Sequence, residues 1–253
     1  MKLEAVITCV NYGDFLAHTL PYNRSLFDKL VVVTAPEDRN TQRVCEYWHV
    51  ECHTTDAFRS RWKDFCKAEA INEGLAKLSL TDWVLHLDAD IVLPPLARRI
   101  IEASDLHHLF IYGCDRFMVP SYDAWAQFIS SPRLLHENNS WVHMGSFPLG
   151  TRVSIAEYGG YIPIGFFQLW NAASEIKSYP TGHKDAARTD MQFALQWPRT
   201  LRSMLPELIV YHLESERLPM GANWQGRTSK RFAPAGTQDP APDGFHIDAR
   251  NGA

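Results

Sequence analysis

Apolar runs recur along the first 110 residues and alternate with segments of mixed polarity. The runs at residues 3–10, 30–34 and 83–87 are rich in β-branched side chains and almost uninterrupted. Such runs are typical of strands that are buried on both faces of a parallel sheet. A shorter run at residues 50–53 fits a small strand. The pattern therefore predicts a series of buried strands, each followed by a polar break.

Helical periodicity fills the stretches between these strands. The clearest case is residues 63–78, which place a row of apolar side chains on one face: Phe65, Ala68, Ile71, Leu75 and Leu78. Shorter helices are predicted over residues 41–48 and 96–103. Strands that alternate with helices predict an α/β fold, in which helices flank a Rossmann-like, mainly parallel sheet with right-handed crossovers.

The second half of the chain is less regular. Strand candidates are residues 109–112 and 208–213, and residues 161–170 form an aromatic, extended segment. The composition then turns to Pro, Ala, Gly and Asp, which bury too little apolar surface to order a segment alone. We expect a single domain over residues 1–232 and a flexible tail over residues 233–253.

Composition and charge narrow the class of protein. With 253 residues and 45% hydrophobic content, the chain can bury a sizeable core. Its formal net charge of −4 gives no overall attraction to nucleic acid or anionic membranes, although a local basic surface is compatible with it. The five cysteines form no CxxC pair, and we find no secretory signal or membrane-spanning run. We therefore expect reduced thiols, a cytoplasmic location and no stable membrane insertion.

Two acidic residues give the first indication of chemistry. Asp88 and Asp90 follow the apolar run 83–87, and Asn11 follows the first run. Ligands of open parallel sheets bind beyond the carboxyl ends of the strands, where these side chains are expected. Carboxylate oxygens suit Mg²⁺ or Mn²⁺, with substrate phosphates completing the coordination shell. A polar turn without any function would carry the same residues.

Three segments resemble motifs of one enzyme class, in the order of that class. Residues 84–91 are similar to the strand and D-x-D motif of the GT-A class of glycosyltransferases, particularly its family 2-like group. Residues 67–75 resemble the helix that precedes D-x-D there, and residues 6–12 resemble the first strand and turn. The resemblance covers residues 3–95. It implies a GT-A type fold. It also implies an enzyme that moves a sugar from a nucleotide-diphosphate sugar to a hydroxyl acceptor.

The resemblance also implies which residues bind the donor. Asn11 would contact the nucleotide, and Glu37 or Asp38 would accept hydrogen bonds from the ribose or base. Lys67 and Asn72 would line the same face. The implied donor is a UDP-sugar, bound in a nucleotide-binding half formed by about residues 1–110.

A metal site follows from the same resemblance. Asp88 and Asp90 would hold Mn²⁺ or Mg²⁺ against the donor diphosphate. His212 resembles the late, strand-borne histidine that supplies a third protein ligand in many metal-dependent enzymes of this class. His183 competes for that role, and a histidine at the end of an apolar strand can also be a core residue.

The acceptor-side half, about residues 111–232, would supply the catalytic base. Asp190 lies where the class places its catalytic carboxylate, although an acidic pair is usual there and this chain has Thr189 before Asp190. An N-cap role is the structural alternative for Asp190. A base is required only if the reaction inverts the anomeric carbon, and the sequence leaves that choice open.

A basic loop late in the chain is a candidate lid. Residues 223–227 combine glycine with Arg227, and Lys230 and Arg231 follow closely. Arg227 and Lys230 would close over the diphosphate and exclude water. A solvent-exposed basic loop is the alternative.

The acceptor is not fixed by any motif. The segment from Lys177 to Arg231 contains nine Lys and Arg residues and five Asp and Glu residues. This surplus is compatible with a polyanionic acceptor, such as a hydroxymethylated DNA base of the phage type, and a saccharide is the other candidate. A non-catalytic nucleotide-sugar-binding module and a nucleotidylyltransferase-like enzyme remain alternatives. The second lacks support because no glycine-rich basic turn follows the first strand.

Overall fold

The computed structural model describes residues 1–59, 65–131, 147–176, 178–183, 185–216, 223 and 226–237. Its strands are β1 (Leu3–Thr8), β2 (Lys29–Thr34), β3 (Glu51–Thr54), β4 (Trp83–Asp88), β5 (Ile91–Val92), β6 (Ile111–Val119), β7 (Ser154–Ile155), β8 (Gly160–Tyr161), β9 (Phe167–Asn171) and β10 (Arg202–Leu213). Its α-helices are α1 (Gly13–Asn23), α2 (Arg39–Tyr47), α3 (Lys67–Leu75), α4 (Ala97–Ala103), α5 (Tyr122–Ile129) and α6 (Thr189–Ala194). No helix in these described ranges has the length and apolar character needed to cross a membrane.

One eight-stranded sheet dominates the fold, with the strand order β3-β2-β1-β4-β9-β6-β10-β5. Strands β3, β2, β1 and β4 are parallel neighbours, and β10 is parallel to β6. Strand β9 lies antiparallel between β4 and β6, and β5 is antiparallel to β10. The short strands β7 and β8 pair with each other. The predicted α/β class with a mainly parallel sheet is confirmed.

Several elements differ in extent from the predicted ones. The strand expected at residues 109–112 is only the start of β6, which continues to Val119 through the polar pair Asp115 and Arg116. The strand expected at residues 208–213 is only the end of β10. These two strands pair over most of their length, and the pairing sustains stretches whose own pattern is too polar to predict a strand.

The segment expected to be extended over residues 161–170 is divided between two strands, because Tyr161 ends β8 and β9 begins only at Phe167. Pro163 lies in its first part and has no N–H to give to a sheet. The predicted helix at residues 63–78 is confirmed in its centre as α3, and residues 63 and 64 lie outside the described ranges. Of the predicted tail, only residues 233–237 are described, and the division into two halves stays a prediction.

Apolar layers cover both faces of the sheet. Successive residues of β1 point to opposite faces, so Val6 packs with the cluster around α3 and Ile7 packs with the cluster around α1. Helix α3 approaches the sheet closely at Gly74, where a Cβ would lie 2.5 Å from methyl groups of Val6 and Val33. Glycine at this position therefore sets the height of α3 above the sheet, and with it the position of Lys67 at the helix start.

A buried carboxylate fastens the turn that follows α3. Glu4 on β1 is 1% exposed and accepts hydrogen bonds from Ser79 Oγ at 2.6 Å, Ser79 N at 3.1 Å and Leu80 N at 2.8 Å. Leu80 has a positive φ of 50°, which is unfavourable for a leucine. Burial would raise the pKa of Glu4, but these hydrogen bonds and Lys2 outweigh burial and lower it. The ionised carboxylate thus holds the turn that leads into β4.

Replacing this carboxylate tests its role. Glu4→Gln places an amide where N–H groups point, so we expect the free energy of unfolding at pH 7 to fall by about 2 kcal/mol. The folded-state pKa is lowered, so the contribution is present above the unfolded-state pKa of about 4.3 and is lost as pH falls through the folded-state value. Urea unfolding from pH 7 to pH 3 measures both effects.

The matched control for that measurement is Glu102→Gln. Glu102 is an exposed carboxylate paired with Arg98 on α4, so its loss should cost about 0.5 kcal/mol or less. A Glu4→Gln deficit that stays constant down to pH 3 would contradict a role for the charge.

Candidate active site

The carboxyl ends of β1 and β4 lie side by side, because Thr8 pairs with Asp88 in their parallel register. The chain then turns through Asp90 into β5. Strand β5 pairs with β10, which brings His212 beside this turn, and the Leu213 N–H donates to the Asp90 carbonyl oxygen at 2.9 Å. The D-x-D turn is therefore held by two strand pairings, that of β4 with β1 before the turn and that of β5 with β10 after it.

Lys67 lies between two carboxylates of different elements. Its Nζ donates to Asp88 Oδ1 at 2.6 Å and lies 3.5 Å from Asp190 Oδ1. The lysine side chain is only 11% exposed. Burial alone would lower the pKa of Lys67, but Asp190 and Asp88 outweigh burial and raise it. A single buried ammonium group thus joins the starts of α3 and α6 to the end of β4.

Asp90 and His212 form the second contact of the site. Asp90 Oδ2 lies 3.3 Å from His212 Nε2, and Asp90 Oδ1 is buried without a hydrogen-bond partner. Burial would lower the pKa of His212, but Asp90 and Glu214 outweigh burial and raise it. An unpartnered carboxylate oxygen beside an imidazole fits a divalent cation. His183 has no such contact with Asp88 or Asp90 in the described part of the chain.

The protein alone does not complete a metal shell. Within the described residues, no group of three or more His, Cys, Asp or Glu side chains is arranged to hold a metal ion. At Asp88, one carboxylate oxygen, Oδ1, is already bound by Lys67. A cation at Asp90 and His212 would therefore take further ligands from a bound substrate.

Asp190 lies in the first turn of α6 and packs against Gly165. A Cβ at Gly165 would lie 2.1 Å from the Asp190 carboxyl carbon, so this position admits only glycine while the carboxylate stays in place. Arg188 occupies the cap position of α6, so the N-cap interpretation of Asp190 is wrong. Burial raises the pKa of Asp190, Asp88 adds to the effect, and Lys67 opposes it, with a net increase.

A buried hydrogen-bond network holds the backbone of Asp190. Gln168 Nε2 donates to the Asp190 carbonyl oxygen at 2.9 Å, and Gln168 Oε1 accepts from Tyr179 Oη at 2.6 Å. Tyr179 Oη lies 2.9 Å from His86 Nδ1. Burial, together with the charge of Lys67, lowers the pKa of His86 to about 3, so this histidine is neutral. The network fixes the start of α6 without adding a second buried charge.

In the turn after β1, Asp38 plays a different part from the predicted one. Asn11 has a positive φ of 57° and donates its N–H to Asp38 Oδ2 at 2.7 Å. Asp38 is fully buried and also accepts from Thr34 Oγ1, Thr41 N and Thr41 Oγ1. Its carboxylate is not available to a ribose or base. Asp38 instead shapes the Asn11 turn, and Glu37 forms an ion pair with Arg59.

Asn72 also differs from its predicted role on the nucleotide face. Its Nδ2 donates to the Tyr179 carbonyl oxygen at 2.9 Å, and its Oδ1 accepts from the Tyr179 N–H at 2.7 Å. Both ends of the amide are thus used to hold the segment at Tyr179 against α3. Asn72 therefore supports the structure of the site and does not offer its amide to a ligand.

The predicted lid residues are held against the start of α1. Arg227 forms a two-pronged ion pair with Asp14, at 2.6 and 2.8 Å, and donates to the Asn11 carbonyl oxygen at 2.6 Å. Lys230 forms an ion pair with Glu216. Trp224 and Gln225 of the predicted lid lie outside the described residues. Arg227 therefore contacts the Asn11 turn, and its charge is already matched by a carboxylate. Its closure over a diphosphate stays a prediction.

Sequence reasoning missed Arg116, Gly165 and Asp14. Burial lowers the pKa of Arg116 on β6. The nearby charges of Asp88, Asp90 and Glu214 oppose this effect but do not outweigh it. A polar pair, Asp115 and Arg116, inside an otherwise apolar strand was the signal available in the sequence. The roles of Gly165 and Asp14 depend on partners far along the chain and leave no local pattern.

Comparison with known proteins places the fold. No family model matches the sequence, and no curated protein matches it in sequence. Glucosyl-3-phosphoglycerate synthase from Mycobacterium tuberculosis in complex with uridine-diphosphate aligns with a TM-score of 0.52 and 12% identity, over 87% of this chain and 73% of that chain. Mannosyl-3-phosphoglycerate synthase from Rubrobacter xylanophilus aligns with a TM-score of 0.51 and 14% identity, over 85% and 68%.

A complex of the same M. tuberculosis synthase with Mn²⁺, uridine-diphosphate-glucose and phosphoglyceric acid aligns with a TM-score of 0.48 at 12% identity, over 83% and 71%, and no argument rests on it. The alignments with TM-scores of 0.52 and 0.51 are to GT-A type glycosyltransferases. The chain has a GT-A type fold, as the motifs predicted. At these identities the alignments speak for the fold alone.

The charge balance around Lys67 can be tested by unfolding. Lys67→Met leaves Asp88 and Asp190 without their shared cation, so we expect the free energy of unfolding at pH 7 to fall by about 3 kcal/mol. Adding Asp190→Asn removes one of the two repelling charges and should restore part of that loss. Urea denaturation of the single and double variants measures the coupling. Lys29→Met, which removes an exposed lysine paired with Glu51, is the control. Strictly additive losses would contradict the shared-cation arrangement.

Proposed function

We propose that this chain is a glycosyltransferase that moves a sugar from a nucleotide-diphosphate sugar to a hydroxyl acceptor with the help of a divalent cation. The observation that carries the proposal is the cluster at the carboxyl edge of the sheet. There Asp88, Asp90 and His212 meet a buried lysine and a third carboxylate, Asp190, within one GT-A type fold. A structural polar turn would not gather these groups from four separate elements.

The residues present fit a cation. Asp90 Oδ1 is buried and lacks a partner, His212 Nε2 lies next to the same carboxylate, and Asp88 retains its second oxygen. This oxygen and nitrogen set suits Mn²⁺ or Mg²⁺, and donor phosphates would fill the positions that the protein leaves open. A bound cation would neutralise charge on the departing nucleoside diphosphate.

Donor binding would use the nucleotide side of the cluster. Asn11 lies in a strained turn at the end of β1, where Arg227 and Asp38 hold its backbone. Lys67 adds a fixed positive charge beside Asp88, close to the place proposed for the diphosphate. The UDP complex of the M. tuberculosis synthase, which shares the fold, supports a uridine nucleotide as the first donor to test.

Asp190 is the proposed catalytic base. Its pKa is raised mainly by burial, which makes the carboxylate a stronger proton acceptor than an ordinary aspartate. Gly165 leaves the space that the carboxylate occupies, and Lys67 stabilises its ionised form until the acceptor arrives. This assignment corresponds to an inverting reaction, in which the acceptor hydroxyl loses its proton as it attacks.

A small hydroxyl acceptor, such as a saccharide, is favoured over modified DNA. Part of the basic surplus between Lys177 and Arg231 is compensated where it is described. Arg227 and Lys230 are paired with carboxylates. These pairs reduce the positive charge that a polyanion would meet there.

A thermal-shift panel tests the donor. We expect UDP with Mn²⁺ to raise the unfolding midpoint by about 5 °C at a hundredfold excess over Kd, because only the folded site binds both. GDP, CMP and dTDP, each with and without Mn²⁺, are the comparison arms. Asp90→Asn and His212→Gln should abolish the Mn²⁺-dependent part, and Asp105→Asn, a distant acidic substitution, should not. A midpoint that no nucleotide shifts in the presence of Mn²⁺ would refute the proposal.

Turnover separates an enzyme from a binding module. Asp190→Asn should keep the Mn²⁺–nucleotide shift but lower the rate of UDP release from a UDP-sugar by about 100-fold or more, since a general base is lost. Coupled detection of UDP gives the rate. Equal UDP release by the variant and the unchanged protein would contradict the role of Asp190. Donor binding without release in either protein would favour the non-catalytic module.

A further inference from the structure

Arg116 is a tightly packed cation that makes no direct ion pair with the described residues. Nowhere in the described ranges does its guanidinium form a hydrogen bond or ion pair, and its Nε is buried. The guanidinium lies over the Phe166 ring, 4.3 Å from the ring centroid. Gly150 covers its shaft so closely that a Cβ there would lie 2.8 Å from Nε. The side chain is therefore fixed before any ligand arrives.

Arg116 opens into a cleft that belongs to the acceptor side of the fold. The cleft is bounded by residues 114–116, 150–153 and residues between 161 and 166. No residue of β1, β2 or α3 lines it, so it lies apart from the turn proposed to bind the nucleotide. Its polar groups include Thr151, Tyr161 and a second arginine, Arg152, which Asp115 holds by two bonds of 2.6 and 2.7 Å.

We propose that this cleft binds an anionic group of the acceptor, a carboxylate or a phosphate, through the guanidinium of Arg116. The inference rests on the proposed function for the position of the donor, and it adds that the acceptor is a small, negatively charged hydroxyl compound. A planar guanidinium binds such oxyanions through two parallel hydrogen bonds, and a preorganised one loses little conformational entropy on binding.

The surrounding charges are compatible with this role. Asp88, Asp90 and Glu214 face Arg116 from the metal side and would repel an anion placed among them. Lys67 and His212 already contact the first two. The open side of Arg116 is the cleft, where Asp115 is matched by Arg152. An anion in the cleft thus meets a guanidinium that has no hydrogen bond to the described residues. Ile164 and Phe166 line the cleft and flank Gly165, which contacts Asp190, so the hydroxyl of such an anion can extend toward Asp190.

Binding of small probes tests the proposal directly. Thermal shifts are measured with β-glycerophosphate, glycerate and neutral glycerol, each with and without UDP and Mn²⁺. We expect the two anions, but not glycerol, to stabilise the protein, and the stronger of the two identifies phosphate or carboxylate as the preferred group. Arg116→Gln should weaken anion binding about tenfold or more and leave the UDP–Mn²⁺ shift intact. Arg43→Gln removes an exposed charge on α2 and should change neither response.

Each other outcome has a defined meaning. Equal shifts with glycerol and the anions, or no anion shift in the unchanged protein, would overturn the subsite. Loss of the UDP–Mn²⁺ shift in Arg116→Gln would assign this arginine to the donor diphosphate and also overturn it. Arg116→Lys keeps the charge but not the planar geometry, so intermediate anion binding supports two-pronged recognition. If the unchanged protein shows no UDP–Mn²⁺ shift while Arg116-dependent anion binding persists, the proposed function fails and the anion site stands.

Discussion

One buried ammonium group constrains the whole candidate site. Lys67 must lie within bonding distance of Asp88 and close to Asp190, although these residues come from a helix start, a strand end and a second helix start. Two carboxylates at a partly buried sheet edge repel each other and lose hydration, so they are tolerated only with a cation between them. The height of α3, set by the glycine contact at Gly74, is therefore also a condition of the site's electrostatics.

The polar residues near this lysine divide into two groups. His86, Tyr179, Gln168 and Asn72 have their hydrogen bonds turned inward and build a neutral support. Keeping the support neutral matters, because a further buried charge would disturb the balance around Lys67. Asp38 also has its hydrogen bonds turned inward, but it is an acidic residue and holds the Asn11 turn by accepting from backbone and hydroxyl donors. The groups left for ligands are then few, and they lie along the carboxyl edge from the Asn11 turn to the cleft at Arg116.

A segment late in the chain, residues 227–232, contacts the start of α1. Arg227 and the Phe232 N–H both bond to Asp14 at the start of α1, so a late segment stabilises the turn that follows the first strand. Because Arg227 is bonded to Asp14 and to the Asn11 carbonyl oxygen, this segment stabilises the Asn11 turn and is not a free cationic lid. Arg116, on the other side of the D-x-D turn, has no hydrogen bond or ion pair from its guanidinium among the described residues. The charge of Arg227 is thus matched by Asp14, whereas Arg116 is left with no bonded partner in the part of the chain that the structure describes.

The sequence by itself determined the strands of the first half, the D-x-D turn, and the candidates Lys67, Asp190 and His212. These follow from local periodicity and from motifs in which neighbouring residues act together. Only the tertiary structure decided which side chains face a ligand. It turned Asp38 and Asn72 inward, matched Arg227 with Asp14, placed Gly165 against Asp190 and left Arg116 unmatched. Each of these outcomes depends on a partner many residues away, and a linear pattern carries no record of which distant charge or backbone group will be there to bond.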